Sequence, residues 1–123
     1  MTRILIGSAA LALVAAACSR TPEPPVACTM EARPGIAVAV TDSATGQPVT
    51  GAVTLVLREG THVERVEGTT PGGEIFAAYE RAGTYEVTVA APGYRIWRRT
   101  GVRVTADECH VRATRLAARL LKE

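Results

Sequence analysis

Aromatic side chains and net charge are both scarce in this chain of 123 residues. Only 4% of the residues are Phe, Trp or Tyr, and 14 basic residues nearly balance 12 acidic ones, for a formal net charge of +2. The basic residues are interleaved with acids along the sequence, so they give no electrostatic case for nucleic-acid binding. The length suits one domain and excludes a multidomain enzyme.

The chain also lacks a hydrophobic run that could cross a membrane. Its longest run, within residues 4–17, has roughly fourteen residues, whereas a transmembrane helix needs about twenty. The run follows a basic residue, Arg3, and ends in small residues, which is the layout of a secretory signal. We therefore expect residues 1–17 to be a cleaved signal peptide.

The end of that segment, Val14-Ala15-Ala16-Ala17-Cys18-Ser19, resembles the signal of bacterial lipoproteins. In that family the cysteine carries diacylglycerol and becomes the first residue after cleavage. The match departs at Ala15, where the family usually has Leu, and an ordinary secretory cleavage after Ala17 would also suit the segment. The resemblance implies lipidation of Cys18, a bilayer as partner, and, because Ser19 follows, attachment to the outer membrane of a bacterial envelope.

The three cysteines separate these two alternatives by parity. An exported protein with an odd number of cysteines has one left over. If Cys18 carries lipid, Cys28 and Cys109 remain as one pair, and a disulfide between them would tie both ends of the domain together. The competing interpretations are a soluble exported protein with a free Cys18, and two unpaired thiols at the other positions. Residues 18–33, rich in proline at their centre, then form a tether.

From Pro34 onward the apolar residues alternate with polar or small ones, which predicts half-buried strands. The alternation is clearest in Tyr85-Glu86-Val87-Thr88-Val89, and Gly, Pro and Asp clusters recur about every ten residues. Seven short strands with this spacing predict an all-β antiparallel sandwich over residues 34–123. For residues 116–123 the pattern leaves a helix and a bulged strand open.

Two motifs of this segment resemble the carboxypeptidase regulatory-like domain. The first is Gly35–Asp42 followed by Thr45-Gly46-Gln47-Pro48-Val49, and the second is Gly83–Val89 followed by Ala91-Pro92-Gly93-Tyr94. The resemblance implies a seven-stranded Greek-key sandwich of the transthyretin (prealbumin-like) kind. In that family the domain is an accessory module that does no chemistry itself.

Residues that could carry catalysis or bind a metal are few. The C-terminal Tyr-Arg-Gly-Ser used by transthyretin-related hydrolases is missing. The serines Ser8, Ser19 and Ser43 lie in the signal, the tether and a turn, so none is a credible nucleophile. The possible metal ligands, His62 with Glu64 and the run Glu108-Cys109-His110, are too sparse for a site. We therefore expect no enzymatic activity, no metal and no cofactor.

One surface remains a candidate for ligand binding. On a regular strand Arg95, Trp97 and Arg99 share a face, with Tyr94 and Ile96 on the other. An exposed Trp between guanidinium groups could stack on a sugar. Alternatively the ring packs over the edge of the sandwich and the arginine stems cover it, and a bulge at Gly101 could change the parity of this strand.

These observations lead to one functional hypothesis and one alternative. The chain is expected to be a non-catalytic, membrane-anchored lipoprotein whose sandwich is a protein-interaction or scaffold module contacting an envelope protein. The alternative is a carbohydrate-binding module that holds a glycan through Arg95, Trp97 and Arg99.

Overall fold

A computed structural model describes residue 22 and residues 24–123. The predicted signal peptide and Cys18, the predicted lipidation site, lie outside the described residues. The described part is all-β, and none of it forms a helix that is long and apolar enough to span a bilayer. Eight strands follow one another along the chain: β1 (Ile36–Asp42), β2 (Thr54–Glu59), β3 (His62–Glu67), β4 (Glu74–Ala77), β5 (Gly83–Ala90), β6 (Trp97–Ala106), β7 (Val111–Arg112) and β8 (Thr114–Leu120).

The strands form two sheets that pack face to face. One has the order β4-β1-β8 and the other β3-β2-β5-β6-β7, so the predicted all-β sandwich is confirmed at that level. Strands β3 and β4 meet at one side of the sandwich, and β6 and β8 meet at the other.

The prediction of seven antiparallel strands is wrong in two respects. The C-terminal segment from Cys109, predicted as one strand, divides at Ala113, where the chain leaves β7 in the larger sheet and enters β8 in the smaller one. Strand β8 then runs parallel to β1, with Ile36 opposite Thr114 and Asp42 opposite Leu120. The helix left open for the C-terminal residues does not form, because Leu116, Ala118 and Leu120 point one face of a strand into the core.

The core is built from the inward-facing residues of both sheets. In β5 and β8 every second side chain is buried, which is the period-two pattern of strands with one wet face. The largest fully buried side chains are aliphatic except for one tyrosine: Tyr85, Ile36, Leu55, Leu57, Leu120, Val38, Val40, Val53, Val87 and Val89. The hydroxyl of Tyr85 donates to the Arg81 carbonyl oxygen at 2.8 Å, so its buried polar atom has a partner.

Close packing at the start of β1 requires a glycine. A Cβ on Gly35 would lie 2.7 Å from both the carbonyl oxygen of Ala78 and a methyl carbon of Val104. Real Cβ atoms do not approach backbone oxygen so closely, hence any side chain here would push the two sheets apart.

Asp42 joins the two sheets at the end of β1. Asp42 is only 5% exposed, and each of its carboxylate oxygens accepts hydrogen bonds. Oδ1 accepts from the backbone N–H groups of Ala44 and Thr45, at 2.8 and 3.0 Å, which folds the turn after β1. Oδ2 accepts from the hydroxyl of Tyr94, at 2.7 Å, in the connection that leads to β6 of the other sheet.

These contacts favour the charged form of Asp42. The Tyr94 hydroxyl contributes most, followed by the two turn N–H groups, and together they lower the pKa of Asp42 from its ordinary value of 3.8 to about 2. The same contact raises the pKa of Tyr94, because an ionised Tyr94 would lose its hydrogen bond to the Asp42 carboxylate and would be repelled by its charge.

We expect Asp42→Asn to remove part of the acid sensitivity of the fold. Because the pKa of Asp42 is lowered in the folded state, its contribution to stability is present above 3.8 and is lost as the pH falls towards about 2. Urea-unfolding midpoints of the natural chain and of the variant should therefore differ at neutral pH and converge as the pH falls through that window. The exposed Glu31 gives a control, since Glu31→Gln should change the midpoint little at any pH. A difference between Asp42→Asn and the natural chain that is independent of pH would contradict the argument.

Candidate functional site

Trp97 lies on the core side of β6 and does not form an open platform. It is opposite Val89, whose side chain is fully buried, and its partly buried ring packs against the core cluster. The guanidinium carbon of Arg99 lies over the ring, 5.0 Å from its centroid. This is the packing arrangement considered as the alternative, in which an arginine covers the exposed part of the ring.

The other residues of the predicted surface are divided between faces. Arg95 is exposed, and its backbone N–H donates to the Leu121 carbonyl oxygen at 2.8 Å, which ties the start of β6 to the end of β8. Ile96, expected on the opposite face from Trp97, is 66% exposed. The structure therefore brings Trp97 and Arg99 together and leaves Arg95 in a separate contact.

A bulge in β6 contributes to this arrangement. On β5, Tyr85 is opposite Val102 and Val87 is opposite Arg99. The single β5 residue between these two pairs is therefore opposite two residues of β6, Thr100 and Gly101. Gly101 has a φ of 66°, a conformation that glycine adopts without strain. The bulge lies where the sequence suggested it.

The disulfide between Cys28 and Cys109 is present. It joins the segment before β1 to the turn before β7, across a sequence separation of 81 residues. In the chain-entropy model, closing a loop of this length stabilises a fold by about 4 to 5 kcal/mol. Both ends of the domain are therefore fastened at one place.

A hydrogen-bond network beside the disulfide, which the sequence did not indicate, fastens the same segment. The ring of His110 is buried, with Nδ1 2.6 Å from Oε1 of Glu80 and Nε2 2.8 Å from the hydroxyl of Thr29. The Glu80 carboxylate also accepts from the backbone N–H groups of Arg33, at 2.8 Å, and Val111, at 3.3 Å. Of these contacts the Arg33 N–H does most to lower the pKa of Glu80, followed by His110.

Backbone geometry shows how Glu80 reaches these partners. The connection from β4 to β5 contains two non-glycine residues with positive φ, Ala78 at 54° and Glu80 at 49°. Such conformations cost free energy and persist where surrounding contacts hold them. Here the Glu80 N–H donates to the Arg33 carbonyl oxygen at 3.0 Å, so backbone and side chain both hold the N-terminal segment.

The order hydroxyl, imidazole, carboxylate also occurs in hydrolases. In this chain the carboxylate is bound by two backbone N–H groups as well as by His110. Thr29 and His110 come from the two segments that the disulfide joins, and Glu80 comes from the connection between β4 and β5. A shallow cavity of about 320 Å³ adjoins His110, lined by Val26, Arg33, Asp107, Glu108, Cys109 and His110. We interpret the network as a fastening of residues 28–33 to the end of the sandwich.

Metal ligands are not clustered in the part of the chain that the structure describes, where no group of three or more His, Cys, Asp or Glu side chains could hold an ion. His62 and Glu64 share one face of β3, as expected, but the Glu64 carboxylate accepts the Ala78 N–H, at 3.1 and 3.4 Å. Cys109 of the other candidate group is in the disulfide.

Charge is segregated across the sandwich in a way that the sequence totals conceal. Residues 95–122 contain eight of the 14 basic residues and only two acids: Arg95, Arg98, Arg99, Arg103, Arg112, Arg115, Arg119 and Lys122, against Asp107 and Glu108. These residues lie on or next to β6, β7 and β8, on the side of the sandwich where β6 and β8 meet. We call this the basic side.

Comparison with known proteins gives no family assignment: no family model matches the chain, and no curated protein is similar enough to match.

Removing the Glu80 carboxylate is expected to loosen the N-terminal segment while the disulfide stays intact. In Glu80→Ala the backbone N–H groups of Arg33 and Val111 lose their acceptor, so their amide exchange should become about tenfold faster or more. Hydrogen-exchange mass spectrometry of the oxidised protein measures this. Glu31→Ala is the matched control, since Glu31 forms only an exposed ion pair with Arg33, at 3.6 Å. Unchanged exchange in Glu80→Ala would show that the disulfide alone holds the segment.

Truncation of Trp97 is expected to destabilise the fold. Trp97→Ala removes a partly buried ring that packs against the core and should lower the free energy of unfolding by about 2 kcal/mol or more. Arg99→Ala removes only its exposed cover and should change it by less than about 1 kcal/mol. Urea unfolding of both variants measures the difference. A Trp97→Ala variant as stable as the natural chain would mean that the ring is not a packing residue.

Proposed function

We propose that this chain is a membrane-anchored bacterial lipoprotein whose β-sandwich is a non-catalytic interaction or scaffold module of the cell envelope. The observation that carries the proposal is the disulfide between Cys28 and Cys109. Structural disulfides persist in oxidising compartments outside the cytosol. With those two cysteines paired, Cys18 is the one left for the lipid that the signal-like N-terminus suggests.

The roles of the buried polar side chains support a module without chemistry of its own. Asp42 and Tyr94 join the sheets, and Glu80 and His110 fasten the N-terminal segment. Tyr85, the largest side chain of the core, has its hydroxyl bonded to Arg81. Each of these groups has a partner that accounts for its position. The exposed strand edges and the charged surface remain available for binding.

We further propose that the domain is of the carboxypeptidase regulatory-like type, with the Greek-key connectivity of transthyretin-like sandwiches. The first motif that suggested this family covers β1 and its following turn, and the second covers β5 and the turn at Gly93, which has the positive φ that the motif needs. The chain crosses between the sheets four times, from β1 to β2, from β3 to β4, from β4 to β5 and from β7 to β8, and Greek-key connectivity requires crossings of this kind.

The arrangement of Trp97 favours the interaction module over the carbohydrate-binding alternative. A sugar platform needs an open aromatic face. The Trp97 ring packs against the core, and the guanidinium group of Arg99 lies over it. Arg95, the third residue of that surface, is tied by its backbone to Leu121 and is not part of the same cluster.

The proposal is tested by crosslinking the full chain in a bacterial cell, purifying it under denaturing conditions and identifying what is attached. The intact mass of the membrane-recovered protein should show residues 1–17 removed and acyl mass on Cys18. A stoichiometric envelope protein should be crosslinked, and Cys18→Ser should lose both the acyl mass and the crosslink. A soluble product with a free Cys18 thiol would overturn the lipoprotein proposal. Recovery of a glycan without a protein partner would overturn the interaction module.

A further inference from the structure

The basic side contains a strand whose outer edge has no partner among the described residues. Strand β8 pairs with β1 alone. The Thr114 N–H donates to the Gly35 carbonyl oxygen and the Leu120 carbonyl oxygen accepts from Ser43, so the even-numbered residues of β8 direct their backbone groups towards β1. Backbone direction alternates along a strand. The N–H and C=O groups of Arg115, Ala117 and Arg119 therefore point away from the sheet.

The ends of this edge are closed and its middle is open. At one end the Thr114 hydroxyl donates to the Arg103 carbonyl oxygen at 2.7 Å, and at the other the Arg95 N–H donates to Leu121. Between these two contacts β6 forms no hydrogen-bonded ladder with β8. The strand that β6 pairs with, apart from β5, is β7, through Thr105 and Ala106. The open stretch, residues 115–119, is long enough for a short added strand.

The side chains of the open stretch are unevenly charged. Arg115, Ala117 and Arg119 are all exposed on the outer face of the sheet. Within the described part of the chain, neither arginine has a carboxylate within 4.0 Å. The two guanidinium-bearing residues are four positions apart, or about 13 Å along a strand, and only the small Ala117 lies between them.

We propose that the β8 edge binds an acidic segment of a partner protein in extended conformation, which adds as a strand beside Arg115–Arg119. This rests on the proposed interaction function and names the surface and the chemistry of the partner. Backbone groups of the added strand would satisfy those of β8, and carboxylates four residues apart would face the two arginines.

The charges argue against a second copy of this chain as the occupant. Antiparallel pairing of two β8 edges centred on Ala117 would bring Arg115 of each copy opposite Arg119 of the other. Like charges directly opposite one another destabilise a strand pair. An anionic bilayer could neutralise the arginines, but it would leave the outward backbone groups to water. Only an extended acidic chain meets both features of the edge.

The test uses the full-length protein and a fluorescein-labelled peptide of sequence Gly-Thr-Glu-Val-Thr-Val-Glu-Thr-Gly, in which the two glutamates are four residues apart. Binding is followed by fluorescence anisotropy. R115E/R119E should weaken it about tenfold or more, because both contacts become repulsive. The matched control R58E/R65E makes the same charge change on exposed arginines of the other sheet and should leave binding within about twofold. Circular dichroism and thermal melting confirm that each variant is folded.

Strand addition is separated from simple charge attraction by changing the peptide and leaving the protein as it is. Two variants of the peptide are compared, one N-methylated at its odd positions and one at its even positions. Each variant loses the backbone N–H donors along one of the two edges of the extended peptide. One of them should lose binding at least about tenfold and the other should keep it. Equal binding by both would overturn strand addition. Absence of peptide binding would overturn the proposal, as would binding only to vesicles containing anionic phospholipid.

The outcome is distinguishable from failure of the proposed function. A protein partner crosslinked in cells to another surface, with no effect of R115E/R119E, would overturn the β8 inference and leave the interaction module standing. Absence of any protein partner in cells would overturn the module even if the peptide binds in vitro.

Discussion

Pairing of the first strand with the last is the constraint on which the rest of the structure depends. Strand β1 lies at the centre of its sheet, with β4 on one side and β8, in parallel register, on the other. Residues from opposite ends of the domain must meet before this sheet exists, a contact of high sequence separation that local preferences cannot supply. The disulfide and the Glu80 network favour this pairing, since both hold the segment before β1 against the turn before β7 and the start of β7.

That pairing also determines which strand edges reach the surface. With β1 in the middle, β8 becomes an edge, and the crossing at Ala113 brings it beside β6. The chain after Tyr94 is rich in arginine and poor in acids, so the meeting of β6 and β8 concentrates positive charge at one side. The net charge of +2 therefore conceals an uneven distribution: many of the basic residues lie on or next to β6 and β8, which the topology places side by side.

Much of the fold could be predicted from the sequence because it depends on local pattern. Alternation identified the strands, as in β5. Cysteine parity gave the disulfide. What the sequence did not reveal depends on contacts between distant residues. The parallel pairing of β8 and the convergence of Glu80, His110 and Thr29 join segments that are far apart in the sequence, for which periodicity carries no information.

Arginines on an edge strand have two effects that are difficult to separate, protection from aggregation and attraction of an acidic partner. Charged side chains keep exposed edges from pairing with other chains, and this protects a small sandwich from aggregation. The protection is selective, however, because a guanidinium repels a basic or identical edge and attracts an acidic one. Arg115 and Arg119 flank an alanine that leaves the backbone between them accessible. A purely protective edge would gain more from a bulky or charged residue at that central position, so the small side chain at Ala117 is the feature that protection alone leaves unexplained.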